Sequence, residues 1–251
     1  MAEKTSYLPG EPTWIDLGTT DLDAAAAFYG GLLGWEIQRG GEEVGGYSIF
    51  LKDGKQVAGA MTTQSPEQPV AWTVYVSTDD ADKTVELVQA AGGTVVAPVM
   101  DVMDLGRMAL FLDSHGAFLG VWQPGRHTGQ ELVDVEGVCS WVELATRDQD
   151  AALPFYEQVF GWQARRSPGY TEFLLGDQSV AGCLDMPPMV PAEVPSYWMP
   201  YFQAEDPAAQ AQRAAALGGQ VVVPFMEMEQ VAFSVATDPQ GGTFGLLKLK
   251  G

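Results

Sequence analysis

The sequence repeats itself, and this repetition limits the possible folds more than any other feature of the chain. The stretch PTWIDLGTTDLDAAAAFYGGLLGW at 12–35 returns at 139–162 as CSWVELATRDQDAALPFYEQVFGW. The stretch at 70–103 returns in the same order at 196–229. Because matched segments of this kind cover nearly both halves of the chain, the sequence indicates a duplicated domain.

The duplication also predicts where the two domains meet. We expect an N-terminal domain at 1–124, a linker at 125–136 and a C-terminal domain at 137–251. The linker is polar and contains glycine, which is typical of a domain boundary. A chain of 251 residues is long enough for two domains of medium size.

A shorter unit repeats within each half. Four strand-like segments begin with a tryptophan and are followed seven residues later by an acid, at Trp14 and Asp21, Trp72 and Asp79, Trp141 and Asp148, and Trp198 and Glu205. An acid directly before an alanine-rich stretch predicts the start of a helix, where it accepts hydrogen bonds from unpaired N–H groups. Apolar runs of strand length follow each predicted helix. The unit is therefore strand–helix–strand–strand–strand (βαβββ), used four times in an α+β fold.

The composition excludes several classes of partner. The net charge is −20 and the isoelectric point is about 4.2, which disfavours nucleic acid and anionic membrane surfaces because both attract cations. No apolar run approaches a membrane span, and the first residues lack the apolar centre of a signal peptide. Cys139 and Cys183 have no metal-like spacing, so we interpret them as thiols and expect a cytoplasmic protein, with a disulfide left open.

Two motifs resemble those of a known superfamily. The stretch TTDLDAAAAFYGGLLGW at 19–35 and the turn DPQGGTFGLLK at 238–248 are similar to the first helix and the last hairpin of vicinal oxygen chelate proteins. That superfamily includes glyoxalase I, bleomycin-resistance proteins and extradiol dioxygenases. The resemblance covers residues 11–124 and 137–250. It implies four βαβββ modules that form cupped, incomplete β-barrels, and it is nearest to tandem glyoxalase-like proteins of bacteria, some of them hydroxylases in antibiotic pathways.

The same resemblance identifies where a metal would be held. Metal-using members take His, Glu or Gln ligands from the first and last strands of their modules. The matching positions here hold residues that are not metal ligands or are poor ones: Trp14, Trp72 or Thr73, Trp141, Trp198 or Met199, Gly120 and Gly245. We therefore expect no metal and no other cofactor at these positions.

Two acids remain as candidates for catalysis. Asp16 and Glu143 lie two residues after Trp14 and Trp141, so each acid shares a strand face with its tryptophan. A carboxylate inside an apolar cup has a raised pKa and suits a general base or a polar anchor. The alternative is a structural carboxylate satisfied by backbone groups, a tyrosine or an arginine, and both interpretations are open.

Aromatic, methionine and arginine side chains are candidates for ligand binding. The set is Trp14, Trp141, Tyr47, Tyr170, Tyr75, Tyr201, Met100, Met226 and Arg107. Aromatic rings can stack on a flat ligand and methionines can form an adaptable apolar wall, but both residue types also fill ordinary cores. Arg107 is expected to hold an acidic ligand or to pair with Asp16. The segment at 185–195 is a possible lid.

Histidine chemistry is not expected. His115 occupies a turn where the second half has Gln240, and His127 lies in the linker, where we expect it to be exposed to solvent. Neither histidine is placed on a predicted inward strand, so neither is a candidate general base.

Three functions fit these observations. The first is a metal-independent protein that binds a small apolar or aromatic molecule in its cups, for secondary metabolism or resistance. The second is an enzyme of the glyoxalase, dioxygenase or hydroxylase kind acting on a small carbonyl or aromatic substrate with an unorthodox metal or none. The third is a structural partner protein with filled cups. We expect an open apolar cavity in at least one half, and a monomer or a homodimer.

Overall fold

The computed structural model describes residues 2–187 and 190–250. Met189, within the segment interpreted as a possible lid, lies outside the described residues. Sixteen of the eighteen described strands form two eight-stranded open sheets, one from each half of the chain, and the other two form a small two-stranded sheet; there are four α-helices. No described helix has both the length and the apolar character needed to span a membrane.

The first half forms one sheet from two βαβββ modules. A short strand β1 (Ala2–Glu3) precedes it. The first module comprises β2 (Pro12–Thr19), α1 (Leu22–Leu33), β3 (Glu36–Gln38), β4 (Ser48–Lys52) and β5 (Lys55–Thr62). The second comprises β6 (Ala71–Ser77), α2 (Ala81–Ala90), β7 (Thr94–Val102), β8 (Gly106–Leu112) and β9 (Phe118–Pro124). The strand order is β3-β4-β5-β2-β6-β9-β8-β7.

The second half repeats this arrangement. A short strand β10 (Leu132–Val133) in the linker pairs with β1. The third module comprises β11 (Cys139–Thr146), α3 (Gln149–Phe160), β12 (Gln163–Ser167), β13 (Tyr170–Leu175) and β14 (Gln178–Asp185). The fourth comprises β15 (Tyr197–Gln203), α4 (Pro207–Ala216), β16 (Gln220–Glu227), β17 (Val231–Thr237) and β18 (Thr243–Leu249). The strand order is β12-β13-β14-β11-β15-β18-β17-β16.

The modules join through their first strands. In the first half β2 pairs antiparallel with β6, and in the second half β11 pairs antiparallel with β15. Each sheet is therefore completed within one half of this chain, and each half is one of two tandem domains. The predicted α+β fold of four βαβββ modules is confirmed, and neither sheet closes into a barrel.

The helices begin at acidic caps, but two of the predicted caps are one residue too early. Asp21 and Asp148 accept hydrogen bonds from backbone N–H groups of the first helical turn, as predicted. In the second and fourth modules the cap is Asp80 or Asp206, the residue after the predicted acid. Asp79-Asp80 and Glu205-Asp206 are each a pair of adjacent acids. The seven-residue spacing from the tryptophan points to the first acid of each pair, whereas the second acid caps the helix.

The repeated Phe-Tyr and Gly-Trp pairs lie where the two halves meet. Tyr29 stacks on Trp35 with ring centroids 5.6 Å apart, and Gly34 between them ends the helix with a left-handed φ of 72° that glycine adopts freely. The indole of Trp35 then donates a 2.8 Å hydrogen bond to the carbonyl of Gly137 in the other half. In the second half Trp162 reaches back to Gly10 of the first half at 2.7 Å.

The same tyrosines bind an acid of the opposite half. The hydroxyl of Tyr29 donates to Asp238 Oδ2 at 3.0 Å, and that of Tyr156 donates to Asp113 Oδ2 at 2.5 Å. The other oxygen of each aspartate accepts two backbone N–H bonds that shape its turn. Both acids are buried, so these hydrogen bonds satisfy carboxylates that water does not reach. The helix-bearing faces of the two sheets consequently share one continuous apolar core.

Removing one of these hydroxyls tests the junction. We expect Tyr29→Phe to lower the free energy of unfolding by about 1–3 kcal/mol, because Asp238 loses a donor and the indole of Trp72 loses an acceptor while both stay buried. Urea unfolding measures the change. Tyr197→Phe is the control, since that half-buried hydroxyl makes no hydrogen bond to a described residue. An equal loss in the two variants would contradict the prediction.

Candidate functional site

Each sheet has a second face, turned away from the helices, which we call the cup face. Ile15 and Leu17 of β2 enter the common core, whereas Trp14 packs in a separate cluster with Tyr75 and Trp122. Because side chains alternate along a strand, Asp16 shares the face of Trp14. The second half has a matching cup face with its own cluster, which includes Met199, Tyr201, Val235 and Leu247.

The four repeated tryptophans do not share one environment. Trp14 and Trp141 lie on the cup faces. Trp72 and Trp198 lie on the helix-bearing faces, where their indoles donate to the hydroxyls of Tyr29 and Tyr156 at 3.2 Å and 3.0 Å. Their neighbours in the chain, Thr73 and Met199, therefore occupy the cup faces of β6 and β15.

In the first cup, the predicted acid meets three of the predicted aromatic residues. The hydroxyl of Tyr75 donates to Asp16 Oδ2 at 2.9 Å, and the hydroxyl of Tyr47 approaches the same oxygen at 3.4 Å. The indole N–H of Trp14 donates to the Tyr47 hydroxyl at 2.8 Å. Asp16 is only 8% exposed, so the hydroxyl groups replace the water that an ionised carboxylate would otherwise need.

The second cup contains the same arrangement. The hydroxyl of Tyr201 donates to Glu143 Oε2 at 2.6 Å, and the indole of Trp141 donates to the Tyr170 hydroxyl at 2.9 Å. The Tyr170 hydroxyl also stabilises the Glu143 carboxylate. Each cup therefore contains one acid, two tyrosines and one tryptophan, which we call the carboxylate network of that cup.

Burial controls the acidity of these groups. It raises the pKa of Asp16 from the ordinary 3.8 to about 6, while hydrogen bonds from Tyr75, Thr73 and Tyr47 oppose the shift. Burial also raises the pKa of Glu143 above its ordinary value, opposed by hydrogen bonds from Tyr201, Tyr170 and Trp141.

The tyrosines remain hydrogen-bond donors. Burial, followed by the charge of Asp16, raises the pKa of Tyr47 and of Tyr75 well above its ordinary value. Burial and the charge of Glu143 do the same to Tyr201. Phenol groups of this kind keep their protons near neutral pH, so each network holds an acid among neutral donors.

Glycines make room for the tyrosine rings. A Cβ atom on Gly59 or Gly182 would collide with the hydroxyl of Tyr47 or Tyr170, and one on Gly120 would lie 2.5 Å from Tyr75 Cδ1. A Cβ atom on Gly245 would likewise collide with the ring of Tyr201. The repeated VAG of 57–59 and 180–182 is the sequence signal for two of these contacts, because a glycine within a strand marks a close approach of another group.

The metal positions implied by the resemblance do not fit a metal. Gly120 and Gly245 supply no ligand atom, and the space beside each is occupied by the ring of Tyr75 or Tyr201. The indole N–H of Trp14 is a donor engaged by Tyr47. Across the described residues, His, Cys, Asp and Glu side chains form no group of three or more that could hold a metal ion.

The predicted methionines lie at the cup rims. Met100 pairs with Met108, which packs on the Trp14 cluster, and Met226 pairs with Phe233, which packs in the second cup. Met100 is 42% exposed and Met226 is 47% exposed. Their strands β7 and β16 are sheet edges, so these side chains border the cups and are open to solvent.

Arg107 is not near the first carboxylate network. Its guanidinium binds Asp82 at 2.7 Å and Asp101 at 3.0 Å on the protein surface. Since Met108 faces the cup, Arg107 faces the helix side of the same strand. The alternative that Arg107 pairs with Asp16 is wrong, because a nearer acid is available at the start of α2.

His127 is not exposed as expected. Its ring lies edge-on to Trp14 with centroids 4.5 Å apart and to Trp122 at 5.5 Å. Burial lowers the pKa of His127, and its buried Nε2 has no hydrogen-bond partner among the described residues. The linker position of the residue concealed this placement, because only the path of the chain after β9 brings the ring over the first cup.

The described residues include two free cysteines and line two cavities. Cys139 and Cys183 are not joined in a disulfide. A cavity of about 250 Å³ lies at the seam between the halves, lined in part by Glu11, Trp14 and Trp141. A smaller one of about 180 Å³ lies beside α2. Neither is the apolar cavity that we expected within a cup, so the open cavity remains a prediction.

The raised pKa of Asp16 predicts a dependence of stability on pH. The folded protein holds the proton more tightly than the unfolded chain, so the stabilisation from this group is complete below pH 4 and is lost as the pH rises through about 6. Asp16→Asn removes the ionisation. We expect its stability relative to the parent to improve by roughly 2–3 kcal/mol between pH 4 and 7, measured by urea unfolding. A relative stability that does not change over this range would contradict the raised pKa.

The close contact at Gly120 predicts the effect of one methyl group. We expect Gly120→Ala to lower the free energy of unfolding by about 1–3 kcal/mol, because Cβ would displace the Tyr75 ring from Asp16. The control is Gly18→Ala in the same sheet, where the nearest atom is 3.6 Å from the added Cβ. Thermal unfolding of both variants measures the change in stability. An equal loss in the two variants would show that the Tyr75 ring moves aside freely, and would contradict the prediction.

Comparisons with known proteins agree with this architecture. Residues 12–120 and 139–246 match the Glyoxalase/Bleomycin resistance protein/Dioxygenase superfamily model. Proteins named "Putative glyoxylase CFP32" from Mycobacterium bovis and Mycobacterium tuberculosis are 39% identical over 259 residues, covering 99% of this chain and 98% of each relative. The anthracycline biosynthesis protein DnrV of Streptomyces peucetius is 36% identical over 265 residues, with 98% and 96% covered.

Solved structures show the same fold at low identity. The Mn(II)-bound glyoxalase from Novosphingobium aromaticivorans has a TM-score of 0.67 at 17% identity, with 95% of this chain and 81% of that chain covered. The 2,3-dioxygenase LapB from Pseudomonas sp. KL28 has a TM-score of 0.66 at 12% identity, with 94% and 91% covered. With the βαβββ modules and the match to both halves, these likenesses establish that the chain belongs to the glyoxalase/bleomycin resistance protein/dioxygenase superfamily.

Proposed function

We propose that this protein binds a flat aromatic small molecule in a cup, without using a metal at the positions where its superfamily places one. The observation that carries the proposal is the carboxylate network, which sets an acid and two tyrosine hydroxyls into an otherwise apolar sheet face. A few polar groups within an apolar concave surface are typical of small-molecule sites, where they fix the orientation of the ligand.

The chemistry of the networks supports a phenol or a quinone as the ligand. Asp16 and Glu143 accept hydrogen bonds, and the tyrosine hydroxyls both donate and accept. The surrounding side chains are aromatic rings, branched aliphatic groups and methionines, which favour a flat apolar body. A ligand with one hydroxyl or carbonyl at its edge would satisfy both environments.

The relatives support the same class of ligand. Two of them, from Streptomyces peucetius and Streptomyces sp. strain C5, are named anthracycline biosynthesis proteins, and each covers 98% of this chain. Anthracyclines are flat polycyclic molecules that carry phenol and quinone oxygens. We therefore place the ligand among aromatic polyketides of this kind and the protein in secondary metabolism. Its free thiols fit a reducing compartment such as the cytoplasm.

A second candidate is proton transfer on a small carbonyl compound. It is favoured by the pKa of Asp16, which burial raises to about 6 and so brings towards the range where a general base works well. Deuterium uptake by hydroxyacetone in heavy water would reveal this activity. Uptake that depends on Asp16 would favour the enzyme over the binding protein.

Binding of the hydroxyanthraquinone alizarin tests the first proposal. We expect calorimetry to show binding that Tyr75→Phe with Tyr201→Phe weakens by about tenfold, since each change removes one hydroxyl from a network. Arg107→Gln is the control and should leave the affinity unchanged, because this side chain lies on the helix side of the sheet. If cyclohexanone bound as tightly as alizarin, the aromatic specificity would be wrong.

A further inference from the structure

The two cups carry the same network, but the linker lies over the first cup, where the His127 ring packs on Trp14 and Trp122. We infer that the second cup is the ligand site and that the linker closes the first cup, with the ring of His127 in the place that a ligand would take. We call residues 125–128 the plug. The assignment of a ligand to the second cup rests on the proposed function, whereas the closure of the first cup does not.

The plug contacts the Trp14 cluster directly. The His127 ring stands nearly perpendicular to Trp14, at an interplanar angle of 85° and a centroid distance of 4.5 Å. It also lies edge-on to Trp122, whose indole N–H donates a 2.8 Å hydrogen bond to the His127 carbonyl. Trp14 is consequently only 6% exposed and Trp122 only 7% exposed.

Several bonds hold the plug in place. The N–H groups of Gly125 and His127 donate to the carbonyl of Leu105 at 2.8 Å and 3.1 Å. Arg126 forms a salt bridge of 2.6 Å with Asp104. The hydroxyl of Thr13 donates to the carbonyl of Thr128 at 2.9 Å. Leu105 itself packs on the Trp14 cluster, so the β7–β8 turn and the linker close the cup together.

The plug packs closely against the β7–β8 turn at Gly125. A Cβ atom at this position would lie 2.8 Å from the carbonyl oxygens of both Asp104 and Leu105. The linker therefore passes against the β7–β8 turn at a distance that leaves no room for a side chain. This close passage fixes the path of the chain directly before His127.

The second cup differs from the first in the exposure of its tryptophan. Six of the seven tryptophans are buried, and the one that is half-buried is Trp141, the equivalent of Trp14. The second cup is also the more apolar of the two. Met199 takes the place of Thr73, and Leu247 takes the place of Trp122.

These differences indicate the shape and polarity of the ligand. A flat ring can lie against the half-buried Trp141, as the imidazole of His127 does against Trp14. Met199 and Phe233 would border its apolar body, while the hydroxyls of Tyr170 and Tyr201 receive a phenol or carbonyl oxygen above Glu143. The ligand is thus a planar aromatic molecule with an oxygen at one edge, bound once per chain.

Acrylamide quenching of tryptophan fluorescence tests the closure without a ligand. The parent protein should be quenched mainly through Trp141, so Trp141→Phe should remove most of the accessible fluorescence. Adding His127→Ala to Trp141→Phe should restore quenching, because Trp14 and Trp122 become exposed. Adding His115→Ala instead, at the histidine of an outlying turn, should not. Accessible fluorescence that survives in Trp141→Phe alone would overturn the closure.

Binding of alizarin tests the choice of cup through a matched pair of rim variants. Calorimetry should give one site per chain, and Met226→Glu should weaken binding by about tenfold, because it sets a charge at the rim of the second cup. Met100→Glu, the equivalent change at the first cup, should leave the affinity within about twofold. His127→Ala should add a second site. Two sites in the parent, or a larger effect of Met100→Glu, would overturn the inference.

The two experiments separate the inference from the proposed function. If the parent binds no alizarin while the quenching results hold, the proposed ligand class is wrong and the closed first cup stands. If alizarin binds through the first cup, the proposed function stands and the assignment of cups is wrong.

Discussion

The two halves of this protein are held together by hydrogen bonds that each half donates to the other. Tyr29 binds Asp238, Tyr156 binds Asp113, and the neighbouring indoles bind backbone carbonyls across the same junction. Burial makes these bonds obligatory, since neither carboxylate can reach water. Because one face of each sheet is used in this junction with the helices, the opposite face of each sheet remains as the cup. Except for Arg107, the described candidate residues lie on that face or at its rim.

Within each cup, a buried acid determines what surrounds it. Asp16 and Glu143 need donors, which Tyr75 and Tyr201 provide, and those rings need the space left by Gly120 and Gly245. At the last-strand positions where the resemblance implies metal ligands, the chain has Gly120 and Gly245, and tyrosine rings fill the space beside them. Membership of the superfamily establishes the architecture, while the chemistry depends on these particular side chains.

Duplication left the two cups alike in their networks and different in their surroundings. The linker that joins the halves also covers the first cup, where His127 lies against Trp14. The second cup keeps a half-buried Trp141 and a more apolar wall. One segment of chain therefore has two effects, since it connects the domains and makes their cups unequal.

The sequence by itself determined the duplication, the four βαβββ modules, the helix-starting acids to within one residue, and the acids and aromatics of the networks. These are properties of spacing and strand alternation, which act over a few residues. Only the tertiary structure decided that Tyr47 and Tyr75 meet at Asp16, that Trp72 turns to the core, that Arg107 pairs elsewhere and that the His127 ring packs on Trp14. Those outcomes depend on strand register and on the path of the linker, which bring together residues far apart in the chain and leave no local pattern.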